Sequence, residues 1–185
     1  MECEDMNYTI EVHKHRLAAW DAASSARASP LCRFTVAKGV AILETSGFDV
    51  ALASPDQLPS RADIDTKHLV WRSKVIDVAR TEGLNFTHGI AAKLINCYLK
   101  SRFVCGGHHA HVRVESLHPP IDALLLKGLA AINFKEHAKQ WQKFQLARWS
   151  KFDSETYQAV IDLIRHSLKP DVALWKIEEY WGGHQ

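Results

Sequence analysis

Along this chain apolar residues recur at the three-to-four-residue spacing of amphipathic helices. No stretch alternates β-branched and polar residues as a half-buried strand requires. Residues 8–28 form an alanine-rich helical stretch that Ser29-Pro30 closes, because proline lacks the N–H a helix interior needs. Residues 34–46 make a second helix, with Gly47 placed to take the left-handed turn after it. Residues 48–65 hold Pro55 and Pro59 and read mostly as loop, although Ser54-Pro55-Asp56-Gln57 can start a short helical turn. A third helix spans 66–82 on Leu69, Val70, Ile76 and Ala79, and Gly83 stops it. Thr87 caps a fourth, running to about Phe103 on Ile90, Leu94, Cys97 and Tyr98. Residues 104–117 contain Gly106-Gly107 and three histidines and read as a loop. His118-Pro119-Pro120 opens the next helix, with Ile121, Leu124, Leu125 and Leu129 on its buried face. Further helices cover 135–150, 154–168 (Asp153 as N-cap) and 171–181. The expected fold class is all-α, a single domain over residues 1–185 that has room for two lobes with a site between them.

Composition narrows this picture only a little. Apolar residues make up 46% of the 185, enough for a folded core. No run approaches 18 consecutive apolar residues, so no membrane helix is expected. The start of the chain carries Glu2, Glu4 and Asp5 and lacks an apolar core, which argues against a secretory signal and for a cytoplasmic protein. Cys3, Cys32, Cys97 and Cys105 follow no tight spacing and read as free thiols. A net charge of +2 neither demands nor excludes nucleic acid, since a DNA enzyme needs only a local basic face.

Two segments carry candidate chemistry: Thr87-His88-Gly89-Ile90-Ala91-Ala92-Lys93-Leu94 and His118-Pro119-Pro120-Ile121-Asp122. Taken singly, Lys93 reads as a lysine laying its stem along an amphipathic helix, and Asp122 as a carboxylate suited to a helix start. Together they resemble the helix–hairpin–helix DNA glycosylases, in particular the 8-oxoguanine glycosylase branches. There a Gly-Val-Gly-x-Lys hairpin enters a helix whose lysine is the nucleophile, and a Pro-Val-Asp element supplies a catalytic aspartate. Gly89-Ile90-Ala91-Ala92-Lys93 matches the first and Pro120-Ile121-Asp122 the second. Ala91 stands where the family has its second hairpin glycine, and the similarity covers residues 86–126, with the C-terminal helix matching more weakly.

The resemblance implies a helix–hairpin–helix glycosylase-like fold and a monomer that flips and excises a modified base from double-stranded DNA without a cofactor. The chemistry suits the residues. A neutral amine can attack the deoxyribose C1′ and hold the sugar as a Schiff base, whereas an ammonium cannot. The positive end of the helix dipole and burial both favour the neutral form of Lys93, and Asp122, ionised at a helix start, would face the developing cation. By the same residue-by-residue transfer, Cys97, one turn after Lys93, contacts the base, and Trp175 with Asp171 four residues before it covers the other face. Core packing for Trp175 and an N-cap after Pro170 for Asp171 are the plainer readings. Trp71 is a pocket candidate by positional analogy, with core packing as the plainer reading, and Trp20, Trp141, Trp149 and Trp181 read as core. Gly89, Ala91, Lys100, Arg102 and Arg113 are the candidate DNA contacts.

Cys105-Gly106-Gly107-His108-His109-Ala110-His111 has metal-ligand residue types, but four ligands in so short a loop strain a tetrahedral site, and no metal is expected. Four functions remain open at this point: a glycosylase with lyase activity, a glycosylase that uses water, a non-enzymatic helical DNA-binding module with vestigial motifs and, furthest from the motifs, a zinc-dependent hydrolase. The target base is either 8-oxoguanine, as in repair, or a hypermodified phage base such as glucosylated hydroxymethylcytosine, as in antiviral defence.

Overall fold

Threonine and aspartate side chains set where the helices begin. Thr9, Thr35, Thr87, Asp122 and Asp153 each accept a hydrogen bond from the main-chain N–H three residues on, which satisfies a donor that a helix start leaves open. The structure, a computed structural model, describes residues 8–27, 29, 32–132 and 137–184; the acidic start of the chain, Cys3, Pro30 and Lys135 lie outside them. Among the described residues all regular structure is helical: α1 (Ile10–Ala26), α2 (Val36–Thr45), α3 (Ile64–Thr81), α4 (His88–Leu99), α5 (Val112–Glu115), α6 (Ala123–Ala131), α7 (Ala138–Ala147) and α8 (Ser154–Ser167). Short 3₁₀ turns occur at Pro55–Gln57, Trp149–Lys151, Leu174–Tyr180 and Gly182–His184, and a π-helical segment, Lys100–His108, continues α4. No helix among the described residues is long and apolar enough to cross a membrane.

The centre is α4, in which every residue from Gly89 to Leu99 is buried. Such a helix is enclosed by its neighbours on all sides. The small side chains of Ala18, Ala19, Ala22, Ala23 and Ala26 let α1 lie against α4 and α2. Gly39 of α2 comes so close to Ala23 that a Cβ there would stand 2.8 Å from the alanine methyl. Thus α1 and α2, which lie before the region the resemblance covers, supply two walls of the central helix. One contiguous apolar core runs from Ala18 to Ile177.

Several expectations are corrected. The face of α3 turned inward carries Ile64, His68, Arg72, Val75 and Ala79, whereas Leu69 and Val70 point outward. Leu124 is likewise exposed, and Leu126 takes its place in the core beside Leu125 and Leu129. The stretch 104–117 is largely helical, turning at Gly107 (φ 95°) before α5. In place of the helix expected over 171–181 stands a 3₁₀ turn starting at Leu174, after Asp171 takes a left-handed conformation (φ 63°) that no α-helix admits.

Gly89 has a packing role. Its N–H donates to Phe152 O at 3.1 Å, and a Cβ on it would lie 1.8 Å from the Trp149 carbonyl oxygen. Main chain cannot yield as a flexible side chain does, so Gly89→Ala is expected to destabilise the fold by about 3 kcal/mol. Urea unfolding of the variant beside wild type measures this.

Candidate active site

Because α4 has no solvent face, its one formal charge needs a partner inside the protein. Lys93, 6% exposed, finds it in Asp122, whose Oδ2 lies 2.7 Å from Nζ. Asp122 reaches that position as the N-cap of α6, where its Oδ1 accepts from Leu125 N at 2.9 Å. A third donor, Trp181 Nε1, meets Oδ2 at 3.1 Å. Burial pushes the Asp122 carboxyl up, but the Lys93 charge and these hydrogen bonds outweigh it and hold the group below its ordinary value. The ammonium also faces the Trp149 ring, 5.7 Å from its centre.

The pair borders a cavity of about 130 Å³ lined by Asp21, Ser25, Cys97, Lys100, Pro120, Glu178 and Trp181 as well. Cys97 sits one turn beyond Lys93, and burial raises its thiol to about 11, so it presents a neutral S–H. Lys100 forms an ion pair with Glu178 across the cavity rim. Burial raises the Glu178 carboxyl above its usual value even so. The site therefore joins two lysines, three carboxyl groups, an indole and a thiol around one small hollow.

The two motif residues meet, and Cys97 and Lys100 join them. Other candidates stand elsewhere. Trp175 lines a neighbouring hollow with Val104 and Cys105, its ring edge-on to His109. Asp171 is exposed, pairs with Arg61 at 3.2 Å and borders a different cavity. Trp71 packs on Phe48 and His68. Gly89 and Ala91 are buried at the start of α4 and offer no surface to a phosphate. Arg102 is buried too, donating to Glu11 Oε2 at 2.7 Å, Glu11 O at 2.9 Å and Leu52 O at 3.2 Å. Arg113, partly buried, donates to the Leu58 carbonyl. The guanidinium groups of both arginines join segments of the fold to one another. Trp20 is exposed, while Trp141 and Trp149 are core. Among the described residues no cluster of His, Cys, Asp or Glu is placed to hold a metal ion, and His111 turns instead to Asp56.

Asp21, Ser25, Glu178 and Trp181 line the cavity and were not expected there. Asp21 and Ser25 have a visible signal, polar residues four apart in an otherwise alanine-lined helix. Glu178 and Trp181 are masked by the turn type: a 3₁₀ turn aligns residues three apart, whereas the α-helical expectation looks four apart.

Comparison with protein-family models, with curated proteins and with solved structures gave no match to this chain.

The ion pair has a pH signature. A carboxyl lowered in the folded state stabilises the fold above its unfolded value, about 4, and loses that contribution as the pH falls through the folded value. Asp122→Asn is expected to be less stable than wild type by about 2 kcal/mol at pH 7, since it removes the counter-charge hydrogen-bonded to Lys93 and leaves only Asp21 and Glu178 across the cavity. The gap should narrow as the pH falls from about 4 and close once the folded carboxyl of wild type is protonated. Thermal unfolding of both proteins across this range tests it.

Proposed function

We propose that this chain is a DNA glycosylase in which Lys93 attacks C1′ of a flipped nucleotide and Asp122 stabilises the sugar cation. The observation that carries the reading is the 2.7 Å contact of Lys93 Nζ with Asp122 Oδ2 at the edge of a cavity walled by Trp181 and Cys97. A lysine must shed a proton before it attacks, and Asp122 is in direct hydrogen-bonding contact to accept it. The C1′–base bond then breaks, and the base leaves with the bonding electrons and takes up the proton. Asp122, ionised again, lies beside the cationic sugar, where a fixed charge in a site sheltered from water acts strongly. The C1′–amine adduct opens to a Schiff base as its C1′–O4′ bond breaks and O4′ takes up a proton that the amine nitrogen gives up, and β-elimination from that Schiff base would nick the strand. Trp181 supplies the aromatic wall for a flipped base, a contact that contributes roughly 1–3 kcal/mol per stacked base.

The target is a modified base. Cys97 is small enough to admit either an oxidised purine or an enlarged pyrimidine, and we favour a hypermodified base of phage DNA over routine oxidation damage. Base release from 8-oxoguanine duplexes beside glucosylated-hydroxymethylcytosine DNA separates the two. Excision of 8-oxoguanine alone would refute the defence role.

Two variants test the chemistry. Lys93→Gln should abolish the adduct trapped by borohydride while DNA affinity stays within about twofold. Asp122→Asn should slow single-turnover base release by roughly 10²–10⁴-fold. A trapped adduct that survives in Lys93→Gln moves the nucleophile elsewhere, and wild-type turnover in Asp122→Asn removes its assigned role.

A further inference from the structure

Beside the candidate site, and outside its cavity, lies a buried polar chain that the mechanism above does not use. Asn96, His68, Arg72, His118 and Tyr157 are all at least nine-tenths buried, and they join α3, α4 and α8 to the segment that leads into α6. Asn96 stands on α4 one turn after Lys93. Its Nδ2 donates to Pro119 O at 2.9 Å and to Tyr157 Oη at 2.9 Å, and its Oδ1 lies 2.7 Å from His68 Nε2.

The placement of every proton in this chain follows from donor–acceptor logic. Pro119 O can only accept, so the amide nitrogen of Asn96 must face it. The amide oxygen then faces His68 and requires a proton on Nε2. Tyr157 accepts from Asn96, which leaves its own O–H to donate to His118 Nδ1 at 3.1 Å. His118 then carries its proton on Nε2 and donates to Asp65 Oδ1 at 2.8 Å. Asp65 ends the chain in a two-pronged pair with Arg165, at 2.7 and 2.8 Å. Both imidazoles are neutral in this arrangement, and burial favours that form of each. Arg72 closes the cluster over the Tyr157 ring, 4.3 Å from its centre.

The segment so held cannot hold itself. Pro119 and Pro120 have no N–H, so main-chain donors are missing where the chain approaches Asp122. Asn96 supplies the missing donor from the helix that also carries Lys93. We infer that Asn96, oriented by His68 and Tyr157, is a positioning residue that ties Pro119 to α4 and thereby sets the separation of Lys93 from Asp122. Its catalytic consequence rests on the glycosylase reading; its effect on the ion pair does not.

Asn96→Leu keeps a similar volume and removes both amide groups. In single-turnover base release it should cost about 30-fold, with the Kd for DNA within twofold, because small displacements of reacting groups are costly. Made in an Asp122→Asn background, the same change should cost less than about threefold, since a residue acting through Asp122 has nothing left to position. A merely structural residue would give the full factor in both backgrounds, and that result overturns the assignment. An independent measurement follows the Asp122 carboxyl by ¹³C NMR titration. Asp122 is faced by Lys93 from α4, Asp21 from α1, Lys100 from the π-helical segment, and Glu178 and Trp181 from the C-terminal turns. In Asn96→Leu its midpoint should rise toward the ordinary carboxylate value as Lys93 withdraws, and an unmoved midpoint in the folded variant overturns the inference. Tyr157→Phe, which removes one hydroxyl and keeps the ring, enters the same two measurements and decides the matter should Asn96→Leu fail to fold. If wild type releases no base from any DNA, the glycosylase reading fails, and the carboxyl titration alone then decides the positioning role.

Discussion

An ammonium group in a helix with no solvent face has to be neutralised from within, and the requirements of Lys93 run through the whole of this structure. Asp122 can meet Lys93 only if α6 begins where it does, with the aspartate turned back as an N-cap. Trp181 can reach the same carboxylate only if the C-terminal turns fold across α6, which they do at Gly128. A Cβ at Gly128 would stand 2.0 Å from Tyr180 O, so the absence of a side chain permits the crossing. Buried ion pairs often contribute no more to stability than apolar residues of similar volume would. That such a pair is present at the centre of the fold is the physical ground for reading it as chemistry.

Much of the architecture could be read from the residues because it depends on local signals. The caps at Thr87 and Asp153, the capping box at Ser54 with Gln57, and Gly47 at φ 92° all stand where short-range rules place them. The meeting of Lys93 and Asp122, 29 residues apart, rested on the motif resemblance, since no local rule brings two such positions together. The inward face of α3 was misread for a definite reason. Its stripe includes His68 and Arg72, and a search for apolar periodicity passes over polar side chains that are buried because they are hydrogen-bonded or stacked. The arginines 102 and 113 show the converse: a positive charge in sequence says nothing of whether it faces solvent or the main chain of another segment.

Buried polar chains of this kind are costly when any member lacks a partner and rigid when all are satisfied. Here His68 Nδ1 and Arg72 Nε are buried without a hydrogen-bond partner, whereas the run from Asn96 through Tyr157 and His118 to Asp65 is paired at every link, and it bears on two prolines in succession. The lysine side of the pair stands within a regular helix, and the aspartate side stands where α6 begins, just after two prolines of which the first is held by the Asn96 amide. The two halves of one ion pair are thus built to different standards of stiffness.

Between Lys100 and His108 the chain winds with i→i+5 bonding and so takes up more residues per turn than the α-helix it prolongs. It begins with Lys100, itself a cavity residue, buries Arg102 and Phe103, and ends at His108, just past the left-handed Gly107. A residue gained or lost after Phe103 leaves Lys93, Asn96, Cys97 and Arg102 in place. In evolutionary terms, length can vary in the exposed turn from Cys105 to Ala110, whereas from Gly89 to Phe103 the chain can vary only in kind.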